Sequence, residues 1–459
     1  MIEEIKTGLE PYEIFTLFKD LDHSYILDSS LDENRLGRYS FIGAEPFEIV
    51  KGKDSNEDLF EELRQKLIQY KGKNNTDLPF VGGAVGYISY DACHYIETKL
   101  PRTAVDDIKI PDIYFGLYDW VIVVDNLMRK TYVATPGLNF SREESLVKNV
   151  RSKVESAELE GVDPICYEER DFPPVNLKSN FTREEYYSTL EKIKDYIEAG
   201  DIYQANLTQR FEGDVPMTSY ELYRDLRRVS PAPFGAFLNF EDVDILSNSP
   251  ERFIQLRGDK IETRPIKGTR PRGRTPEEDR YYREELYNSE KDRAELLMIV
   301  DLERNDIGRV SKTGTVRVPE LFKLEEYANV HHLVATVVGR LKEDKDAIDL
   351  IKATFPGGSI TGAPKIRAME IIDEVEPTQR NVYTGSIGYI GFEGSLDLNI
   401  AIRTMVKKGS RVYFQVGGGI VWDSDVSEEY EETFKKAGSI KKALRGQYDY
   451  EQENRKSNL

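Results

Sequence analysis

A lysine and a glutamate sixteen residues apart are the groups in this chain best suited to chemistry. Lys267 lies in Pro265-Ile266-Lys267-Gly268-Thr269-Arg270, and Glu251 in Ser247-Asn248-Ser249-Pro250-Glu251-Arg252-Phe253. A carboxyl group and an amine delivered to one cleft can serve as a general acid and as a nucleophile or base. β-Branched Ile266 followed by flexible Gly268 predicts that a strand ends at Lys267 and enters a loop.

Carboxylates form the second set. Asp292 and Glu295 are three residues apart on a predicted helix and share a face. Glu295 precedes the apolar run 296–300, and a carboxylate entering a core needs a partner, of which a hard cation is one candidate. Asp425-Val426-Ser427-Glu428 predicts a capping box, and Glu429, Glu432 and Lys436 then fall on one helix face. Two helices presenting such groups could clamp one Mg²⁺, which also takes oxygens from water and substrate. The plainer reading is a solvated acidic face with Glu432 paired to Lys436.

Anion-binding elements form the third. The loop Phe355-Pro356-Gly357-Gly358-Ser359-Ile360-Thr361-Gly362-Ala363-Pro364-Lys365 leads into a helix whose exposed first amides could take carboxylate or phosphate, with Lys365 and Arg367 adding charge. The G-x-x-x-x-G-K-[ST] spacing of a nucleotide loop is missing, and a plain helix-start loop fits as well. Gly417-Gly418-Gly419 would let backbone amides approach an anion, or mark a sheet bulge. Arg403, on the polar face of a predicted strand, could grip a carboxylate in two-pronged fashion or pair with a surface acid. His331 and His332 are adjacent, so one at most faces a given cleft, and a lone histidine is more often structural.

The elements that must position these groups read as strands joined by hairpins and helices. The stretches 81–87 and 120–124 predict buried strands. Thr182-Arg183-Glu184-Glu185 is a capping box, followed by Tyr186, Leu190, Ile193 and Ile197 at helical spacing and by Gly200 as a stop. Along 203–211, Tyr203, Ala205, Leu207 and Phe211 alternate with Gln204, Asn206, Thr208 and Arg210, predicting a strand whose polar face meets solvent or a polar cleft. Thr275-Pro276 and Ser289-Glu290 open two more helices. The alternation through 396–403, the turn Lys408-Gly409-Ser410 and Val412, Phe414 and Val416 predict a hairpin near the end. Hairpin signals outnumber strand–helix alternation, so the expected class is α+β with antiparallel sheets. A proline-bearing acidic stretch at 154–180 reads as a linker between an N-terminal region, 1–153, and a second region, 181–446, with a polar tail at 447–459.

Composition narrows the function. The 459 residues are 39% hydrophobic and 32% charged, ordinary for a soluble globular protein of two or three domains or one large composite one. A net charge of −19 opposes binding to nucleic acid and to anionic membrane. The two cysteines, Cys93 and Cys166, form no disulfide framework or metal pattern, and with an N-terminus lacking signal-peptide character they suit a reducing cytoplasm. The residues alone point to a metal-assisted enzyme acting on a small carboxylate.

Read together, Ile26-Leu27-Asp28-Ser29-Ser30, Gly37-Arg38-Tyr39-Ser40-Phe41, Ile299-Val300-Asp301-Leu302-Glu303-Arg304-Asn305-Asp306, the 355–365 loop and Ile400-Ala401-Ile402-Arg403-Thr404 resemble the chorismate-utilising enzymes. The resemblance spans nearly the whole chain. It implies antiparallel sheets forming a sandwich-like core flanked by helices, with an N-terminal region like that of the anthranilate-forming members ahead of a chorismate-binding catalytic region. It also implies that Glu295 and Glu432 ligate Mg²⁺, which holds a chorismate carboxylate. Arg403 and Tyr383 would bind the substrate, with the backbone of Gly417 and Gly419 and the Lys436 side chain beside its carboxylates. Thr269 and His332 would lie near the ring, and Glu251 would protonate the departing C4 hydroxyl.

Lys267 separates the branches of that family. The anthranilate branch typically carries alanine here, whereas lysine resembles the aminodeoxychorismate branch. In that branch the amine attacks C2 as the C4 hydroxyl leaves, and ammonia then enters at C4 and expels the lysine. A lysine must be neutral to attack, and burial beside Mg²⁺ or other cations would lower its pKa. A role as general base for water, as in isochorismate or salicylate formation, stays open, as do anthranilate formation and an inactive regulatory subunit. Leu27-Asp28-Ser29 and Ser230-Pro231-Ala232-Pro233-Phe234 depart from the tryptophan-feedback pattern of the anthranilate branch. Neither cysteine resembles a glutaminase nucleophile elbow, so the expected partner is a separate glutaminase subunit supplying ammonia.

Overall fold

The structure is a computed structural model that describes residues 1–30, 36–55, 57–138, 140–161, 173–326 and 330–448. Two large sheets dominate it. The larger has thirteen strands and runs from Ile2–Ile5 through Tyr25–Asp28, Phe234–Phe240, Val243–Ser249, Thr404–Lys408 and Arg411–Ile420 to Gln204–Asp214 and Val175–Ser179. The ten-stranded one runs from Ile266–Pro271 through Val330–Arg340, Lys260–Thr263, Arg252–Arg257, Leu396–Asn399, Ser386–Gly391, Gly83–Ile88 and Ile113–Tyr118 to Glu48–Gly52. Between these strands every pairing is antiparallel, which bears out the expected α+β class.

The inner faces of the two sheets share one aromatic core. Tyr25 packs edge-on to Tyr118 with ring centroids 4.7 Å apart, and Phe41 to Tyr389 at 5.2 Å. Helices cover the outer faces. Glu290–Val310 and Ala347–Thr354 bury Leu296, Ile307, Ile348 and Ile351 against one sheet, while Val426–Leu444 and Ser219–Val229 bury Ala437, Ile440 and Leu226 against the other. Strands from before residue 153 and after residue 181 pair within both sheets, as Tyr25–Asp28 does with Phe234–Phe240. Of the stretch read as a linker, 154–160 lies in the helix Phe140–Glu160 and Val175–Ser179 is a strand; 162–172, with Cys166, and 449–459 of the tail lie outside the described residues.

The capping signals form as read at the helix starts. Thr182 and Glu185 complete a reciprocal capping box on Arg183–Glu198, and Thr275 and Ser289 cap Pro276–Asn288 and Glu290–Val310. At Asp425 only half the expected box forms: its carboxylate accepts from the Ser427 and Glu428 amides. Three strand expectations need correction. Lys267 does not end a strand, because Ile266–Pro271 runs on through it. The polar face of Gln204–Asp214 is not wet: Gln204, Asn206, Thr208 and Arg210 are all buried. The alternation at 396–403 is not one strand. Leu396–Asn399 belongs to the smaller sheet and Thr404–Lys408 to the larger, and it is the latter that pairs with Arg411–Ile420.

That break is where the chain changes sheets. A second change occurs at Ser249-Pro250-Glu251, between Val243–Ser249 and Arg252–Arg257. The two crossings are tied together. The Ile400 amide donates to the Glu251 carbonyl at 3.0 Å, the Asn248 amide to the Arg403 carbonyl at 3.1 Å, and Ser249 Oγ to the Ile400 carbonyl at 2.6 Å. Glu251 and Arg403 therefore sit on paired segments at the seam of the sheets.

Candidate active site

Glu251 is 5% exposed, and burial in this seam pushes its carboxyl up to about 7. The Ser359 hydroxyl, the Lys267 charge and the Ile266 amide, 3.4 Å from Oε1, pull the other way without overcoming burial. At neutral pH this carboxyl carries a proton much of the time, as a general acid needs.

Lys267 reaches the same place from the edge of the smaller sheet. It pairs with Leu333 while Thr269 pairs with His332, so Gly268 is the extra residue of a bulge, at φ +76°. A Cβ on Gly268 would also stand 2.7 Å from Leu286 Cδ1. Lys267 Nζ points at the Ser359 carbonyl, 3.4 Å away. Burial lowers its pKa; Glu295 and then Glu251 oppose that shift, and Lys436 reinforces it. Burial therefore outweighs the neighbouring carboxylates and favours the neutral, nucleophilic amine.

Two carboxylates on two helices act on this amine through their charge, and a third lies one turn from the second. Glu295, half-buried on Glu290–Val310, has its pKa raised by burial against the charges of Lys267 and Lys291, with Glu432 among the groups that raise it. Glu432, on Val426–Leu444, is held below its ordinary range: burial opposes ionisation, but Lys436 Nζ lies 2.7 Å from Oε1. Glu429, one turn back, is buried, accepts from Ser424 Oγ at 2.7 Å, and is raised by burial and by Glu432. Thus the i, i+4 pair expected of a plain acidic face does form, with Glu432 still open to solvent, and the Glu432 charge also acts on Glu295 and Lys267. Asp292 is spent on Arg270, 3.1 Å away. Among the described residues no three acidic, histidine or cysteine side chains close into a metal cluster. What Glu295 and Glu432 offer is an open carboxylate pair, which suits Mg²⁺ when water and substrate complete its shell.

Arg403 stands opposite in character. It sits at φ +51° in the sheet crossing, not on a strand face, and its side chain makes no hydrogen bond or ion pair with a described residue. Burial alone acts on it, lowering its pKa. Its charge, after burial, helps depress His332 to about 4. His332 is consequently neutral, with Nδ1 2.9 Å from Thr269 Oγ1, while His331 faces the other way onto Asp279 at 3.0 Å. A cationic fork without a carboxylate beside a neutral imidazole is a site for an anion.

The glycines and Tyr383 line adjacent strands and turns. Of the two readings of 417–419, the bulge does not form: Thr208, Leu207 and Asn206 pair in register with Gly417, Gly418 and Gly419. A Cβ on Gly417 would stand 2.2 Å from the Leu207 carbonyl, so close strand approach explains that glycine. Lys436 Nζ donates to the Gly417 carbonyl at 2.9 Å. Tyr383 is buried in the turn before Ser386–Gly391, its amide donating to the Arg380 carbonyl at 3.1 Å.

The 355–365 loop differs from its reading as an anion loop. Lys365 turns inward to Asp306 at 2.5 Å and to the carbonyls of Thr354 and Pro356, and Arg367 pairs on the surface with Glu370 and Asp201. Neither adds charge to a ligand site. Three contributors escaped the sequence reading. Ser359 sits between Lys267 and Glu251. The charge of Lys291 helps lower the pKa of Glu295, Glu429 and Glu432. Gln204 lies fully buried under Gly419 with neither amide atom hydrogen-bonded. Only Gln204 had a signal, its place on the polar face of its strand. Cys93 is buried, with its thiol pushed well up by burial, as unreactive thiols are.

A cavity of about 640 Å³ lies elsewhere between the sheets, lined by Leu27, Asp28, Phe234, Arg257 and Tyr389. Asp28 there is held by Arg227 and by the Tyr223 hydroxyl at 3.4 Å.

Two sheets exchanging strands at a seam, with an acid, an amine and an unpaired arginine gathered there, define an enzyme built for a small anionic substrate. The chain belongs to the family of chorismate binding enzymes, which matches residues 22–442. Among its relatives, aminodeoxychorismate synthase component 1 of Bacillus subtilis (strain 168) is 42% identical over 439 residues, 92% of each chain. Anthranilate synthase component 1 of Aquifex aeolicus (strain VF5) is 41% identical over 457 residues, 95% of this chain and 92% of that one. The crystal structure of anthranilate synthase component I from Streptococcus pneumoniae TIGR4 matches with a TM-score of 0.79 at 33% identity, over 95% of this chain and 98% of that one. No helix among the described residues is long and apolar enough to cross a membrane.

Proposed function

We propose that this chain is the chorismate-aminating component of an aminodeoxychorismate synthase, forming 4-amino-4-deoxychorismate ahead of 4-aminobenzoate and folate. The observation that carries this is the buried Lys267 amine, its pKa lowered, beside a Glu251 carboxyl raised to about 7. Relatives of that name share 41–47% identity with it over most of its length.

In the first step the Lys267 Nζ lone pair bonds to C2, both ring double bonds shift by one position (C1=C2 to C1=C6, C5=C6 to C4=C5), and the C4–O bond breaks. The leaving oxygen takes the Glu251 proton and departs as water. In the second step ammonia bonds to C4, both double bonds shift back, and the C2–N bond breaks, returning its pair to Nζ. The new ammonium gives a proton to Glu251, which restores the acid. Chorismate plus ammonia thus becomes the amino product plus water, without loss of pyruvate.

Arg403 and Tyr383 grip the substrate, with the Gly417 and Gly419 backbone and Lys436 beside its carboxylates and Thr269 and neutral His332 beside the ring. Glu295 and Glu432 hold Mg²⁺, which when bound supplies positive charge to a substrate carboxylate. Ammonia comes from a separate glutaminase subunit, in the cytoplasm. The test is product analysis of chorismate, Mg²⁺ and ammonium salt with the protein. Aminodeoxychorismate without pyruvate is expected. Pyruvate with fluorescent anthranilate, or isochorismate formed without ammonium, overturns the proposal.

A further inference from the structure

One buried ion pair reaches three of the segments just described. Arg380 is 2% exposed and Glu376 5%. Arg380 Nε and Nη2 donate to the two Glu376 oxygens at 2.8 and 2.7 Å. The remaining donors go elsewhere: Nη1 to the Ile360 carbonyl at 3.0 Å and to Thr384 Oγ1 at 3.4 Å, and Nη2 to the Asn206 carbonyl at 2.8 Å. Glu376 Oε1 in turn accepts from Thr208, through its amide at 3.0 Å and its hydroxyl at 2.8 Å. The Tyr90 ring closes the far side of the guanidinium, 4.8 Å from its centre.

These partners are not scattered. Ile360 follows Ser359, whose carbonyl meets Lys267 Nζ. Thr384 follows Tyr383, whose amide donates to the Arg380 carbonyl. Thr208 pairs with Gly417 and Asn206 with Gly419. A buried ion pair is a weak source of stability, because desolvating two charges offsets most of their attraction, and an apolar pair of like volume would hold the core as well. An apolar pair could not orient backbone and hydroxyl groups on three separate segments.

We infer that the Arg380–Glu376 pair is a positioning element that sets the loop at Ser359, the turn at Tyr383 and the strand facing Gly417 relative to one another. This rests on the reading that those segments line the substrate. Arg380→Lys keeps the charge and loses the planar fork. Thr208→Val cuts only the hydroxyl tie to the strand and keeps the side chain's shape. KM for chorismate and kcat are measured per folded molecule, the folded fraction being read from a thermal melt, with Lys267→Ala assayed alongside. Arg380→Lys should raise KM about tenfold or more and lower kcat, and Thr208→Val should raise KM by a smaller factor. A purely structural pair would reduce the folded fraction and leave KM alone, and that result overturns the inference. Should Arg380→Lys not fold, KM of Thr208→Val decides by the same criterion. Activity in Lys267→Ala would instead sink the amination reading, whatever the other two variants do.

Discussion

Burial moves Glu251 and Lys267 in opposite directions: the carboxyl up to about 7, the amine below its ordinary value. Each opposes the shift of the other through its charge, and burial still prevails in both. Burial thus shifts the pair toward a protonated acid and a neutral amine, the combination an attack with loss of hydroxide needs.

Glu251 should cost stability where it serves chemistry. Its carboxyl titrates near 4.5 when unfolded and about 7 when folded. Between those values the unfolded chain ionises while the folded one holds its proton, so stability falls as pH rises through this window. Glu251→Gln removes the titration. Thermal melts should show the variant more stable than wild type at pH 8, by up to about 3 kcal/mol, with the gap closing by pH 4. Equal gaps at both pH values would contradict the shift.

Arg403 should behave likewise for binding. A buried guanidinium without a carboxylate is held against its desolvation cost. Arg403→Met should therefore raise stability by on the order of 1 kcal/mol while weakening chorismate binding by about a hundredfold. Melting and ligand titration on the one variant check both halves. A variant that binds chorismate normally removes Arg403 from the substrate.

How much of this was legible beforehand depended on how local each cause is. The helix starts at Thr182, Thr275 and Ser289 were readable because a cap is set by residues three apart. The pairing of Glu295 with Glu432 could be suspected from face spacing, but spacing alone could not say whether the second helix faced the first or the solvent. The break at 400–403 was hidden because alternation continues through it in sequence; only the pull of two different sheets bends the chain there. A strand end at Lys267 is what Gly268 suggests in sequence, since a bulge and a loop start use the same residue. Lys365 was misread because nothing near it in sequence reveals Asp306, fifty-nine positions away.

Glu295→Gln should weaken the Mg²⁺ dependence of chorismate binding, by about tenfold or more, since it removes one charged oxygen from an open pair. Titrating chorismate at several Mg²⁺ concentrations measures this directly. A dependence identical to wild type would take Glu295 out of the metal site.

The most direct measurement is peptide mass spectrometry of the protein incubated with chorismate and Mg²⁺ but no ammonia, quenched rapidly. The account predicts that the peptide containing Lys267 gains the mass of chorismate less one water, and that ammonium discharges it. An unmodified Lys267 peptide, together with full product formation by Lys267→Ala, would contradict it.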